Sequence, residues 1–317
     1  MRPENSLLKA AADTVVAPVF REVASVPRGA RRLAGRNTSA LIGGSVLLLV
    51  VAIGLFAPHL GTVDPAQIDP AARNLRPGSA SVARNADGTE TRRVHWMGTD
   101  SLGRDVYSRV LFGARVSLVV GGSVALLSSA LGLGIGLLAG YLRWLDGIVM
   151  RVMDGLMSIP AVLLAIALVS LASAGLLTVI VAIVIPEVPR VVRLVRAVVL
   201  SIREEPYVEA AAALGAPTHL LLLRHVLPNT VAPLIVQATF VCASAILVEA
   251  ILSFLGIGIP PQTPTWGNIM AEGRTLFRVF PHNILFPGAF LAVTVLAVNI
   301  LGDGLRDSLD PRMQKRL

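Results

Sequence analysis

The feature that most constrains this chain is a set of five long stretches without a single charged residue. Leu41–Ala57 is apolar except for Ser45 and stops at Pro58; the others are Val116–Leu142, Gly155–Pro186, Thr230–Val248 and Asn283–Gly302. A helix crosses the roughly 30 Å hydrocarbon core of a bilayer with about 20 residues, so each stretch is long enough to span or nearly span it. Gly155–Pro186 runs 32 residues and would rise about 48 Å as one helix. It is therefore divided near Ser173, Ala174 and Gly175, giving one helix from about Asp146 to Ala172 and another from Leu176 through Pro186 and Pro189 toward Val199. The expected fold is an all-α integral membrane protein with six transmembrane helices. A mean hydropathy of +0.70 with 15% charged residues excludes a set of soluble domains.

Charge placement adds sidedness. The net charge is +8, but the basic residues flank apolar runs, which favours a lipid bilayer and argues against nucleic acid as the partner. The first 40 residues hold seven basic groups and three acids, so the N-terminus is expected inside and no cleaved leader is expected. Six spans return the C-terminus to the same side, where Arg306, Arg312, Lys315 and Arg316 agree. Segment 59–115 violates the rule, with eight arginines placed outside; long outer segments obey it weakly. The expected division is a basic tail 1–37, a first span 38–58, an outer segment 59–115 with an interfacial helix, a core 116–305 and a tail 306–317.

Gly132, Gly136 and Gly140 form a tandem G-x-x-x-G on the second span, read as a close-packing face because small residues let helix backbones approach in lipid. In the outer segment, Asp105 and Arg109 are spaced i,i+4 beside an apolar Val106, Val110, Leu111 stripe. This is expected to be a short helix on the membrane face, or else a capped start to the second span. Intramembrane ionisable groups are functional candidates by default. Asp154 reads as a local pair with Arg151. Glu249 either lines a route for a polar substrate or pairs with an arginine of a neighbouring helix. Glu187, beside Pro186 and Pro189, motivates the competing reading of a proton- or sodium-coupled secondary transporter using Glu187 and Glu249.

Between the fourth and fifth spans lies a polar segment, 201–228, that reads as helix, turn, helix. Pro206 suits a first helical turn, Glu209–Leu214 has high helix propensity, Gly215 supplies a stop, and a second short helix runs from Pro217 to before Pro228. Four leucines, Leu220 to Leu223, are expected to be buried against something. Glu209-Ala210-Ala211, then Gly215, then Leu227-Pro228 resemble the EAA loop of the membrane subunits of ATP-binding-cassette importers. His225 stands where that family usually has Ile, and Arg224-His225-x-Leu227-Pro228-Asn229 resembles its dipeptide and oligopeptide branch. His95-Trp-Met-Gly98-Thr-Asp100 through Leu118, and Phe254-Leu-Gly256 through Trp266-Gly267, are similar to blocks of the same branch, so the chain is identified as resembling its "C"-type permease subunit.

That resemblance implies a type I importer fold in the inner (cytoplasmic) membrane. It also implies a paralogous permease subunit, two cytosolic ABC ATPases, an extracytoplasmic substrate-binding protein, and an EAA loop that docks on an ATPase through Glu209, Ala210, Ala211, Gly215, Leu220, Arg224, His225, Leu227 and Pro228. Peptides or similar small solutes are the implied cargo, and Phe254, Phe286 and Phe290 are candidate gate residues.

The residues themselves exclude hydrolysis of ATP by this chain through the usual route, since neither Lys9 nor Lys315 follows a glycine as a P-loop requires. ATP and magnesium are thus assigned to partner subunits, and no cofactor or metal to this chain. The five histidines, 59, 95, 219, 225 and 282, include no H-E-x-x-H, and no G-x-S-x-G turn occurs, which disfavours an intramembrane hydrolase.

Overall fold

The computed structural model describes residues 38–84 and 90–309; the expectations for the tail 1–37 and for Arg312, Lys315 and Arg316 lie outside them. The first helix, α1 (Thr38–Phe56), gives way at Pro58 to a short 3-10 turn. The chain then forms a polar segment containing an antiparallel hairpin, β1 (Ser79–Arg84) and β2 (Glu90–His95), in the register Ser79↔His95 to Arg84↔Glu90. This hairpin departs from the all-helical expectation. Its alternation of small polar and β-branched residues was hidden among arginines and carries too few apolar positions to stand out.

Asp105 caps α2 (Val106–Tyr141), accepting the Ser108 N–H at 2.8 Å. The short membrane-face helix expected at Asp105–Arg109 is instead the first turns of this 36-residue helix, continuous with the second span. Leu142 is extended, and α3 (Arg143–Met157) follows. The expected single helix from Asp146 to Ala172 is broken: α3 and α4 (Ala161–Ser170) meet at 85°. Pro160 explains the break, because its ring disfavours helical backbone at Ile159 and it lacks an N–H to donate. By contrast α5 (Leu176–Arg203) runs unbroken through Pro186 and Pro189, so the split placed near Ser173 to Gly175 coincides with a real helix boundary.

Two short helices, α6 (Pro206–Ala213) and α7 (Thr218–Leu221), lead through a π turn at Leu222–Val226 into α8 (Leu227–Phe254). The second short helix ends at Leu221, before Pro228, and the chain continues helically through the π turn. Pro228 sits in the first turn of α8, where a missing N–H is tolerated, and the wider π turn joins the two helices without a stop. A loop, α9 (Trp266–Gly273) and α10 (His282–Leu309) complete the described chain.

Four helical stretches are long and apolar enough to cross a membrane, Thr38–His59, Val106–Tyr141, Thr218–Phe254 and His282–Leu309, and the bent α3–α4 pair is a fifth taken as one span. The helix α5 has the length, but Glu187, Arg190 and Arg193 interrupt its apolar run. Its charges are largely matched by protein groups, so the six-span reading is compatible with the structure.

Helix α5 is the centre of the bundle. Val191, Val195 and Val199 lie along one face against α2, where a methyl group at Gly132, Gly136 or Gly140 would come within 2.5, 2.7 or 2.7 Å of those valines. Close backbone approach here needs glycine, and dispersion between tightly apposed helices replaces the hydrophobic gain that lipid does not offer. Arg196 makes a two-pronged pair with Asp146 of α3, with Nη2 to Oδ2 at 2.6 Å, and Arg193 pairs with Asp154. The expected Asp154–Arg151 pair is thus replaced by one reaching across to α5.

Candidate functional site

The segment joining α5 to α8 is built by local chemistry. Pro206 occupies the first turn of α6, and the helix ends in a paired-hydrogen-bond cap: Ala216 N–H donates to Ala211 O at 3.1 Å and Gly215 N–H to Ala212 O at 3.0 Å. That cap requires a left-handed residue at its turn, and Gly215 has φ +83°. Nothing lies within 4 Å of the position a β-carbon would take, so the constraint on Gly215 is backbone conformation and not space.

One face of this helix-turn-helix is anchored. Val208, Leu221 and Val226 are buried against the bundle. Asn229 Nδ2 donates to His225 O at 2.6 Å and to the Tyr207 hydroxyl at 3.3 Å, and the Tyr207 and His225 rings lie 6.0 Å apart. Partial burial, and secondarily the Glu205 carboxylate, push the Tyr207 phenol above its ordinary value, with the Asn229 hydrogen bond opposing them. It therefore stays an uncharged hydroxyl at neutral pH.

The other face is open. Of the four leucines expected to be covered, only Leu221 is buried and Leu222 half-buried; Leu223 is 61% exposed, and Leu214 beside the turn is 88% exposed. Leu220, Glu209, Ala210 and Pro228 are exposed as well, Ala211 and Leu227 half-buried, and Arg224 exposed with a polar interaction of its own. The Glu209 carboxylate, in the first turn of α6 where the helix dipole favours it, has no hydrogen bond or ion pair among the described residues. The loop is thus a capped turn presenting leucines and the exposed Glu209 carboxylate.

The intramembrane carboxylates are placed differently. Glu249 is 0% exposed and accepts hydrogen bonds from Ser253 Oγ at 2.8 Å and Ser117 Oγ at 3.3 Å. Among the described residues no arginine meets it, so the ion-pair alternative finds no partner there, and the residue ties α8 to α2 through hydroxyls. Glu187 is buried, accepting from Ser244 Oγ of α8 at 2.8 Å and from Arg190 Nη1 at 3.3 Å. Phe286 and Phe290 pack on a buried cluster around Trp266, with the Phe290 and Trp266 rings 6.4 Å apart, whereas Phe254 lies under the Arg274 guanidinium at 5.9 Å.

The far end of α2 holds an arrangement that sequence reasoning missed. Arg109 is fully buried, with Nη2 3.3 Å from Glu272 of α9 and Nε 3.9 Å from Asp100; Arg104 pairs with Asp100 at 2.7 Å and also with Glu272. Asp105 pairs with His95 at 2.8 Å, not with Arg109. Beside them Trp266 is buried and its Nε1–H donates to Val110 O at 3.0 Å. The sequence block 95–118 marked the region, but Glu272 is more than 150 residues away and no spacing rule reaches it.

Comparison with known proteins gives consistent matches. The model of "Binding-protein-dependent transport system inner membrane component" matches residues 132–315, and that of the "N-terminal TM domain of oligopeptide transport permease C" matches 28–77. A probable peptide ABC transporter permease protein of Sinorhizobium fredii is 53% identical over 285 residues, 90% of this chain and 93% of its own length. A dipeptide transport system permease protein of Alkalihalophilus pseudofirmus is 38% identical over 88% of each chain. A glutathione transport system permease protein of Pectobacterium atrosepticum is 39% identical over 88% of this chain and 89% of its own.

Proposed function

The chain belongs to the family of binding-protein-dependent transport system inner membrane components, and from that premise we propose that it is the permease subunit of an ATP-driven peptide importer. In this reading it pairs with a paralogous permease and encloses with it the route for dipeptides, oligopeptides or similar small solutes. Loop 201–228 faces the cytosol, as do both termini, and docks on one of two ATPases that bind ATP and magnesium. An extracytoplasmic binding protein delivers cargo to the opposite face. The peptide assignment is supported by the names of relatives that span nearly the whole chain.

The observation that carries the coupling role is the open leucine face around the capped Gly215 turn. Exposed leucines at a conformationally fixed turn in a short loop have no internal use, and they suit an apolar groove on a partner. Glu209, lacking an internal partner, is assigned a charge-assisted contact on that partner. Glu249, sealed among hydroxyls, holds α2 to α8; Phe254, Phe286 and Phe290 are the candidates for closing the route at the far end.

The test is Gly215→Asp in the reconstituted complex. An aspartate there strains the left-handed turn and brings a carboxylate to the contact; burying it unpaired costs about 2–5 kcal/mol, or one to several orders of magnitude in docking. The variant should insert normally but lose ATP-dependent peptide uptake, with ATP hydrolysis no longer responding to loaded binding protein. Wild-type uptake by a fully expressed variant would overturn the assignment.

A further inference from the structure

Helix α3 presents two chemistries on one exposed arc. Its inner side is fixed to the bundle: Met153 is buried, and Asp146 and Asp154 are engaged by Arg196 and Arg193 of α5. At about 100° per residue the outward arc divides lengthwise. Trp144, Ile148 and Val152 run along one edge and are 71%, 59% and 54% exposed. Arg143 and Arg151 run along the other, both exposed, with Gly147 on the basic edge and Gly155 on the apolar one. Asp154 is the one acid of α3 on this arc, and it belongs to the Arg193 pair. Arg143 and Arg151 therefore have no carboxylate partner among the described residues.

The place of α3 in the fold sets its depth. Helix α4 doubles back through the short connection 171–175 and packs on the first half of α5, where Ala165 and Val169 share a buried cluster with Val179 and Ile183. Since α3 stands at 85° to α4, it crosses the bundle and does not run alongside α5. It crosses beside Arg193 and Arg196, past the end of the uncharged run of α5 and about 10–15 Å before that helix reaches loop 201–228. Ion pairs are costly in hydrocarbon, so this level is the interfacial layer of the leaflet on the loop's side.

A helix with tryptophan and aliphatic residues along one edge and arginines along the other has the pattern that lies in the plane of a leaflet. A second permease subunit fits this arc less well. It would have to take both arginines out of water and supply a carboxylate for each, because the acids of α3 are already engaged, and it would also dry the half-exposed Arg193–Asp154 pair. A bilayer surface offers phosphate oxygens while leaving the guanidinium groups wet. We infer that α3 is an interfacial helix: Trp144, Ile148 and Val152 dip into the acyl boundary, and Arg143 and Arg151 hold the phosphates of anionic phospholipids. Which leaflet this is follows from the importer reading, in which loop 201–228 is cytosolic; the lipid contact itself does not depend on it.

The experiment places the photo-crosslinking residue p-benzoylphenylalanine at position 148 of the complete transporter, in nanodiscs of phosphatidylcholine and phosphatidylglycerol at a fixed ratio. After irradiation, mass spectrometry of the labelled peptide identifies what was captured. The adducts should be phospholipid, with phosphatidylglycerol about threefold or more over its share in the disc. That enrichment should shrink in high salt. It should fall to the disc ratio when Arg143→Gln and Arg151→Gln are combined, in a complex shown by size-exclusion chromatography to assemble as the wild type does. Capture of the paralogous permease or another protein chain at 148 overturns the inference, and so does the absence of any lipid adduct. An enrichment indifferent to salt, or to loss of both arginines, overturns it as well. The readout asks nothing of transport, so a complex that failed to import peptides would remove the importer reading and leave this result standing.

Discussion

The two ends of α2 and α5 solve opposite problems. At the Arg109 end, charge is buried and internally answered: two arginines and two carboxylates from three separate stretches close on one another beside a buried tryptophan. At the Gly215 end, apolar side chains and a carboxylate are held out on a rigid turn with nothing of the chain's own to cover them. A residue at the first end serves the fold, because removing it strands its partners in a dry interior. A residue at the second end serves an interaction, because the folded chain already leaves it in the open.

The sharpest way to test this contrast is Arg109→Ala. Breaking a buried ion pair by removing one partner leaves uncompensated charge and costs about 3–5 kcal/mol. The purified complex should lose thermal stability and yield, and Arg109→Lys should restore little, since an ammonium cannot span Glu272 and Asp100 with a planar fork. A variant with wild-type melting behaviour would show that the cluster is not structural. Next in size is Gly136→Val, which overpacks the α2–α5 contact against Val195 and costs about 1–3 kcal/mol. Thermal unfolding in detergent should register it, and a matching Val195→Ala should recover part of the loss. The same glycine face would be misassigned if the substitution proved neutral.

The smallest effect on stability is expected at the open end. Leu214→Ser with Leu223→Ser should change unfolding by no more than about 0.5 kcal/mol, as exposed substitutions do, while weakening co-purification of the ATPase. Stability that fell as far as in Gly136→Val would mean that these leucines pack internally and that the comparison between the two ends fails.

Much of the open end was legible in the sequence because its structure is local. Pro206, the alanine run and Gly215 act within a turn or two, so helix, stop and reversal follow from propensity and cap geometry alone. What local signals did not give is which of Leu220 to Leu223 the chain itself covers, since burial depends on what packs against the segment: only Leu221 is buried. At the α3–α4 elbow the signal was present in Pro160 but was outweighed by the long uncharged run, which fixes affinity for lipid and says nothing about direction. The Asp105–Arg109 spacing misled for a related reason: i,i+4 geometry permits a pair, yet Arg109 points into the bundle and finds Glu272.

What the sequence determined by itself was the medium and the local elements: uncharged runs long enough to need a bilayer, the glycines that allow a close crossing, and the motif spacing of the turn. The tertiary structure decided which partner each of these charges meets. Asp154 meets Arg193, Asp146 meets Arg196, Glu249 meets two serines, and Arg109 meets Glu272. Desolvation makes an unanswered charge costly wherever it is buried, but only the folded arrangement brings residues 39 to 163 positions apart within a few ångströms.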